Sequence, residues 1–274
     1  MNTTTGKTAL VTGSTDGVGR FVAQTLGEEG WRVLVHGRDQ TRGEQVVAGI
    51  RARGGSAEFL RADLSRLAEV RDLAERVQAI SDRLELLVNN AGIGSGGPAG
   101  TRQTSGEGHE LRFAVNYLAG FALTRRLLPL LRASAPSRIV NVSSLGQQAI
   151  DFSDVMLTRG YTGARAYCQS KLAQILFTVE LARELDGSGV TVNALHPATY
   201  MDTTMVRQAG VSPSSTVAEG GEAILRLAIS PALEGKSGLY FNGLREARAD
   251  AQAYDAEARR RLQALSLELT AGGD

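Results

Sequence analysis

Short apolar runs alternate with segments of helical periodicity along most of this chain of 274 residues. The apolar runs predict buried strands, and the segments in which apolar residues recur every three or four positions predict helices. Strands are predicted at residues 8–11, 31–36, 57–60, 84–88, 138–142, 190–195 and near 239, and helices at 21–30, 42–53, 64–80, 110–132, 165–185 and 217–229. Because apolar strands joined by helices are parallel and covered on both faces, we expect an α/β fold. The expected architecture is a doubly wound, mostly parallel seven-stranded sheet with helices on both faces, in a single domain over residues 1–274.

The composition excludes several classes of protein. A net charge of +1 leaves no basic surface for nucleic acid, and the arginine triplet at residues 259–261 is expected on a solvated helix face. The single cysteine, Cys168, cannot form an internal disulfide, so the cytoplasm is the expected location. No apolar run approaches 18 residues and residues 1–6 are polar, so neither a membrane span nor a signal peptide is predicted. The three histidines are scattered, and no metal site is predicted.

A glycine-rich loop follows the first predicted strand and opens a helix. It has the spacing G-x3-G-x-G and consists of Gly13, Ser14, Thr15, Asp16, Gly17, Val18 and Gly19. Backbone N–H groups and the helix dipole at such a position can hold a pyrophosphate, and the glycines let the backbone approach the phosphates. We therefore predict that these seven residues bind a dinucleotide cofactor.

Tyr167 and Lys171 stand four residues apart in a predicted helix and therefore share one helix face. The chain has three lysines and six tyrosines, so chance predicts only about 0.07 such pairs. A phenol needs a nearby positive charge to lose its proton near neutral pH, and Lys171 can supply it. Ser144, after the fifth strand, can hydrogen-bond a substrate oxygen, with Ser143 as the competing candidate.

These segments together resemble the classical short-chain dehydrogenases/reductases over about residues 5–245. The resemblance rests on the glycine loop, on the run Asn89-Asn90-Ala91-Gly92 after the fourth strand and on the Tyr167/Lys171 pair. It implies a Rossmann fold and a catalytic group made of Asn116, Ser144, Tyr167 and Lys171. In that group Asn116 would hold a water that links the lysine to solvent. A homodimer or homotetramer is also implied.

The same resemblance implies further cofactor contacts. The residues concerned are Asp63 and Leu64 at the adenine, Asn90, Ala91 and Gly92 along the adenosine, Tyr167 and Lys171 at the nicotinamide and its ribose, and Pro197 and Thr203 beside the nicotinamide. Pro197 is followed by Ala198, where the family usually has glycine. The chain is most similar to the retinol-dehydrogenase-like branch, because residues 166–173 resemble that branch and 22 residues separate Ser144 from Tyr167.

The choice between NADP(H) and NAD(H) depends on the end of the second strand, where the ribose 2′ position lies. The run of residues 33–38 places Gly37 at that turn and then Arg38, whose guanidinium can pair with a 2′-phosphate. Asp16 and Asp39 argue in the other direction, since a carboxylate repels a phosphate. NADP(H) is expected to be preferred, with NAD(H) possible.

The predicted reaction is hydride transfer between nicotinamide and a small-molecule carbonyl or alcohol, with a hydrophobic ketone or aldehyde as the expected substrate. Tyr167 would exchange the proton, Ser144 would polarise the oxygen and Lys171 would bind the ribose. Two alternatives stay open: a dinucleotide-binding regulatory protein without turnover, and a sugar-nucleotide epimerase or dehydratase. Substrate loops are expected near residues 147–164 and 198–217. Their apolar residues either line a hydrophobic pocket or pin the loops to the core; these are Phe152, Val155, Met156, Leu157, Tyr200, Met201, Met205 and Val206.

Overall fold

The computed structural model describes residues 6–96 and 101–271, and within them eight strands form one sheet. The strands are Thr8–Val11 (β1), Arg32–Gly37 (β2), Ser56–Arg61 (β3), Leu86–Asn89 (β4), Ser137–Val142 (β5), Val190–His196 (β6), Tyr240–Asn242 (β7) and Arg245–Ala247 (β8). Their order is β3-β2-β1-β4-β5-β6-β7-β8, and neighbouring strands are parallel except β7 and β8, which pair antiparallel. The predicted α/β fold is confirmed. The sheet has one strand more than predicted because the chain turns back after β7 through a two-residue hairpin at Gly243 and Leu244.

Helices connect the strands and cover the sheet. In the described residues the α-helices are Gly17–Glu28 (α1), Gln40–Ala52 (α2), Leu67–Ile80 (α3), Ala119–Ala133 (α4), Gly163–Glu184 (α5), Thr204–Gln208 (α6), Val217–Ile229 (α7) and Ala256–Ala271 (α8). A π-helix, Phe113–Leu118, runs directly into α4. No helix in the described part of the chain is both long and apolar enough to cross a membrane.

The strands are buried on both faces because helices pack against each of them. Successive β1 side chains alternate between two apolar clusters: Leu10 belongs to one, and Ala9 and Val11 to the other. Helices α3, α4, α5 and α8 contribute to the first cluster, and α1, α2 and α7 to the second. This two-sided burial explains why the strands are continuous apolar runs rather than alternating ones.

The strand order creates a crevice beside β1. From β1 the chain moves outward through β2 and β3, and it then returns to place β4 on the opposite side of β1. At such a switch point the loops after the strands diverge, and ligands bind between them. The glycine loop after β1 and the loop after β4 therefore border the same crevice.

Two differences from the sequence prediction have clear causes. Helix α1 begins at Gly17 instead of residue 21, because the Asp16 carboxylate accepts a hydrogen bond from the Gly17 N–H at 2.7 Å and caps the helix. The expectation of a solvated arginine triplet is wrong for Arg259, which is buried between α8 and α5 and donates to Glu180 Oε2 at 2.8 Å. Its neighbour Arg260 is exposed, as expected.

Candidate active site

The glycine loop is shaped by close backbone approaches. Gly13 has a φ of +64°, and a Cβ placed on it would lie 2.8 Å from Ala91 Cα. A Cβ on Gly19 would collide with the Gly13 carbonyl oxygen and with the Asn90 side chain. Both positions therefore require glycine. The loop ends at the N-terminus of α1, whose first N–H groups have no intrahelical partner and can hold an anion.

Ser14 and Thr15 anchor the glycine loop to β1 and β2. The Ser14 hydroxyl is fully buried, donates to the Val11 carbonyl at 2.7 Å and accepts from the His36 N–H at 3.0 Å. The His36 ring accepts a hydrogen bond from the Gly13 N–H through Nδ1 at 3.1 Å. Burial lowers the pKa of His36 to about 4, so its ring is neutral and Nδ1 can act as this acceptor. Thr15 packs against Gly37.

The Asp16 carboxylate forms hydrogen bonds or an ion pair with three parts of the chain. Besides capping α1, its carboxylate accepts from the Thr204 hydroxyl at 2.7 Å and lies 3.6 Å from Arg42 Nη1. The hydrogen bond from Thr204 is the largest cause that lowers the Asp16 pKa. The carboxylate is therefore charged but compensated, and it joins the glycine loop to α2 and α6. Beside it, Thr203 lies against Gly17 and Val18 is buried in the core.

The loop after β4 is bonded to the glycine loop. Asn90 Nδ2 donates to the carbonyls of Thr12 and Gly13 at 2.8 and 3.1 Å. The N–H groups of Asn90 and Ala91 both donate to the Thr12 hydroxyl. These contacts set the relative position of the two loops that border the crevice.

Asp63, Leu64 and Arg38 lie at the ends of the neighbouring strands. The Leu64 side chain is buried in the core, while Asp63 Oδ1 accepts from the Ser65 N–H at 2.9 Å. Arg38 is largely exposed, and its Nη1 lies 4.0 Å from Asp63 Oδ2. The Arg38 guanidinium thus reaches solvent at the rim of the crevice, where it can meet an anion.

Tyr167 and Lys171 lie on α5, next to Ser144 at the end of β5. Burial raises the pKa of the Tyr167 phenol, and a hydrogen-bonding interaction with the Ser144 side chain opposes this rise. The Ser144 hydroxyl accepts from the Gly146 N–H at 3.0 Å, which leaves its own proton to be donated to Tyr167 or to a bound substrate. Ser143 instead donates to the Lys171 carbonyl at 2.7 Å and so has a structural bond.

The Lys171 ammonium is buried near the Tyr167 ring. Nζ donates to the Val142 carbonyl at 2.8 Å and to Gln174 Oε1 at 3.1 Å. Burial lowers the pKa of Lys171 to about 7. A Cβ placed on Gly92 would lie 3.5 Å from Lys171 Nζ and 3.3 Å from Asn116 Oδ1, so both atoms border the space left by this glycine.

Asn116 projects from the π-helix, a type of helix that is frequent at functional sites. Its Oδ1 accepts from the Ile93 N–H at 2.8 Å, and its Nδ2 donates to the Ile93 carbonyl at 3.2 Å and to Ser170 Oγ at 3.0 Å. The two amide hydrogens are therefore used, and one Oδ1 lone pair remains.

The fold, the glycine loop and the Tyr167/Lys171 pair agree with a comparison against known families. The sequence model of the short chain dehydrogenase family matches residues 7–212. The chain belongs to this family. It is a short-chain dehydrogenase/reductase, an oxidoreductase that depends on a nicotinamide dinucleotide, and the crevice described above fits that cofactor.

Relatives place this short-chain dehydrogenase in the retinol-dehydrogenase-like branch. It is 39% identical to retinol dehydrogenase 13 of Mus musculus over 284 residues, which cover 96% of this chain and 84% of the relative. It is 40% identical to polyprenol dehydrogenase of Mus musculus, with 98% and 85% coverage. Among solved structures, the Pseudomonas aeruginosa RhlG/NADP active-site complex has a TM-score of 0.71 and 30% identity, covering 87% of this chain and 94% of that one.

The expected substrate loops of this short-chain dehydrogenase differ in exposure. In the first loop, Leu157 is buried and Phe152, Val155 and Met156 pack against the core, which favours the pinning alternative. In the second loop, Tyr200 and Met205 are exposed, and Met205 lies beside Gly94 of the loop after β4. Pro197 borders an open cleft of about 310 Å³ together with His196, Thr199 and the β7–β8 hairpin.

Several residues of the site were missed by the sequence reasoning. Thr12, His36 and Gln174 are uncharged and carry no motif, and their roles arise from contacts across the sheet or along α5. Arg42 and Thr204 were missed because both bond to Asp16 from distant segments. Of these residues, His36 alone carried a local signal, because it is a polar residue near the end of a predicted strand, where site residues are expected.

Proposed function

We propose that this enzyme interconverts a hydrophobic ketone or aldehyde and its alcohol, with Tyr167 exchanging the proton. The adjacency of Tyr167, Ser144 and Lys171 carries the proposal. A bound nicotinamide supplies or takes the hydride. In reduction, the Tyr167 hydroxyl gives its proton to the carbonyl oxygen, while the Ser144 hydroxyl donates a hydrogen bond to the same oxygen. The raised pKa of Tyr167 keeps the phenol protonated, as a proton donor requires.

Lys171 acts in two ways in this proposal. Its ammonium has three N–H donors, of which Val142 and Gln174 use two, and the third is available to the cofactor ribose. Its positive charge also favours the phenolate when Tyr167 takes up a proton from an alcohol. Asn116, through its remaining Oδ1 lone pair, is proposed to hold a water that connects Lys171 to solvent. The space beside Gly92, bordered by both side chains, supports this role.

NADP(H) is the proposed cofactor, with NAD(H) as the weaker one. Arg38 supports this choice because its guanidinium is exposed at the end of β2. Arg42, four residues further along the chain, adds a second cation and partly neutralises both Asp16 and Asp39, at 3.6 and 3.5 Å. The repulsion that Asp16 would exert on a 2′-phosphate is reduced by this pairing and by the Thr204 hydrogen bond.

The cofactor contacts proposed for this chain lie around the crevice. They are Gly13, Ser14, Thr15, Asp16, Gly17, Val18 and Gly19 at the pyrophosphate, Arg38, Asp63, Leu64, Asn90, Ala91 and Gly92 along the adenosine, and Tyr167, Lys171, Pro197 and Thr203 at the nicotinamide ribonucleotide. Ser14, Val18 and Leu64 have buried side chains, so they would act through the backbone. Gly92 lies beside Lys171, so the residues proposed for the adenosine and those proposed for the nicotinamide ribonucleotide meet at this glycine.

A hydrophobic substrate is supported by the exposed apolar residues at the carboxyl ends of the strands. Leu145 follows Ser144 directly, Tyr200 and Met205 follow β6, and each is at least 40% exposed. Relatives named for retinol and polyprenol support the same class of substrate. We propose that residues 198–217 contact the substrate and that residues 147–164 support the site from the core, in one domain over residues 1–274.

A panel of ketones, aldehydes and alcohols, assayed with NADPH and NADH, tests the proposed function. We expect the highest kcat/KM for apolar compounds with NADPH. Best activity on small charged hydroxy acids would contradict the hydrophobic substrate. Cofactor binding without turnover across the panel would favour a regulatory protein, and turnover of sugar nucleotides would favour an epimerase or dehydratase. Location in the cytoplasm and assembly as a homodimer or homotetramer stay predictions.

A further inference from the structure

Lys171 is held by two uncharged oxygen atoms. The side chain is 5% exposed, and in the described part of the chain no carboxylate forms an ion pair with it. Its hydrogen-bond acceptors are the Val142 carbonyl, at the end of β5, and Gln174 Oε1. The titratable groups that face it are Tyr167 on its own helix and His196 at the end of β6. A charge buried in this way depends strongly on each acceptor that it retains.

Gln174 is anchored where it can perform this function. It is buried on α5, three residues beyond Lys171, and its backbone carbonyl accepts from the Thr178 hydroxyl at 2.8 Å. That hydroxyl accepts from Asn141 Nδ2 at 2.8 Å, and Asn141 Oδ1 accepts from Asn89 Nδ2 at 2.9 Å. This chain of hydrogen bonds connects α5 to β5 and β4 and limits rotation of the helix.

We propose that Gln174 is a positioning residue that keeps Lys171 protonated and directs its remaining N–H group toward the crevice. Gln174 Oε1 accepts a stronger hydrogen bond from the ammonium than from the neutral amine, so it stabilises the ammonium against burial. The contribution of this contact to catalysis rests on the proposed function, whereas its effect on Lys171 protonation does not.

The test is a direct titration of Lys171 in the cofactor-free enzyme. Because the chain has only three lysines, Lys7, Lys171 and Lys236, ¹³C-labelled lysine gives few NMR signals, and Lys171→Met assigns the relevant one. Gln174→Leu removes the acceptor and should lower the Lys171 pKa by about 1 pH unit. Gln174→Glu replaces the amide by a carboxylate and should raise it by at least about 1 pH unit.

Gln169 provides the matched control. It is a buried glutamine on the same helix, but its Nε2 donates to the Ala149 carbonyl at 3.0 Å instead of contacting Lys171. Gln169→Leu and Gln169→Glu should leave the Lys171 titration unchanged. Opposite shifts in the two Gln174 variants with silent Gln169 controls support the proposal, because general loosening of the helix would not change sign. Equal shifts in both Gln174 variants, or no shift, would overturn it.

Activity measurements separate this inference from the proposed function. If turnover is found, the alkaline limb of its pH profile should move with the Lys171 pKa, to lower pH in Gln174→Leu and to higher pH in Gln174→Glu. A shifted Lys171 titration in a protein that turns over no carbonyl compound supports the role of Gln174 and contradicts the proposed function. Should Gln174→Leu fail to fold, Gln174→Asn, which withdraws the oxygen by one methylene, must lower the Lys171 pKa for the proposal to stand.

Discussion

The Lys171 Nζ atom lies 5.8 Å from the centre of the Tyr167 ring. The two residues are one turn apart on α5, and the ammonium hydrogen-bonds to Val142 and Gln174 instead of to the phenol. The two groups therefore share no proton in this geometry, and the influence on Tyr167 that we propose for Lys171 would act through its charge. In this geometry Tyr167 can exchange a proton with a substrate while Lys171 keeps its own contacts.

Tyr167→Phe removes the proposed proton donor and leaves the ring in place. We expect kcat to fall about a hundredfold or more, while the Kd of NADPH stays within a fewfold. Steady-state kinetics with the best carbonyl substrate and fluorescence titration of the cofactor measure the two effects. Tyr254→Phe, at a partly exposed tyrosine on the surface, is the control and should retain full activity. Activity of Tyr167→Phe within a fewfold of wild type would remove Tyr167 from its proposed role.

Lys171→Met should change the pH dependence of stability. The pKa of Lys171 is about 7 in the folded enzyme and about 10.5 ordinarily, so between these values the unfolded chain binds a proton that the folded chain lacks. The wild-type free energy of unfolding, relative to that of Lys171→Met, should therefore rise from pH 7 toward 10.5, by up to about 1.4 kcal/mol per pH unit.

Urea unfolding of the cofactor-free proteins at several pH values checks this prediction. The methionine variant should be the more stable protein near pH 7, and its advantage should shrink as the pH rises. Lys236→Met, an exposed position, is the matched control. A stability difference that is the same at every pH would show that Lys171 is not held with a lowered pKa.

Arg38→Ala should raise the KM for NADPH about tenfold or more and change the KM for NADH little, because the guanidinium is proposed to pair with the 2′-phosphate. Arg42→Ala should act in the same direction but more weakly, since Arg42 is shared with two carboxylates. Arg53→Ala, which lies at the opposite end of α2 and pairs with Glu28, is the control. Equal effects of Arg38→Ala on both cofactors would show that Arg38 does not contact the phosphate.

Arg259→Met should destabilise the fold by about 2–4 kcal/mol, because it leaves Glu180 and the Ala253 carbonyl without their buried partner. Thermal unfolding should show a Tm lower by several degrees. Arg260→Met, at the next residue of α8, removes only an exposed pair with Glu257 and should change stability by less than about 0.5 kcal/mol. Similar Tm values for the two variants would mean that the buried contact between α8 and α5 contributes little.

The sequence predicted the sheet, the two loops that border the crevice and the position of Tyr167 and Lys171 on one helix face. Each of these features follows from residues that are close together in the sequence. Strand and helix periods are visible within about ten residues, and glycine spacing reports the turn after β1 directly. The start of α1 was mispredicted for an equally local reason. The helix begins before its apolar residues start to recur every three or four positions, because Asp16 caps it at Gly17. The bounds of helix α8 were not predicted, because its leucines are confined to residues 262–269 and only four of its residues are buried, two of them polar.

Tertiary structure alone decided how the charges and apolar side chains of the site are used. By sequence Asp16 is a carboxylate that would repel a phosphate, but in the fold it bonds to Thr204, 188 residues away, and to Arg42. Arg259 belongs to a surface-like triplet, yet it is buried against Glu180. Phe152 and Met156 could have lined a pocket, but they pack on the core. The role of a charged or apolar side chain depends on the groups that pack against it in the folded chain. Those groups come from distant segments, so the local sequence does not identify them.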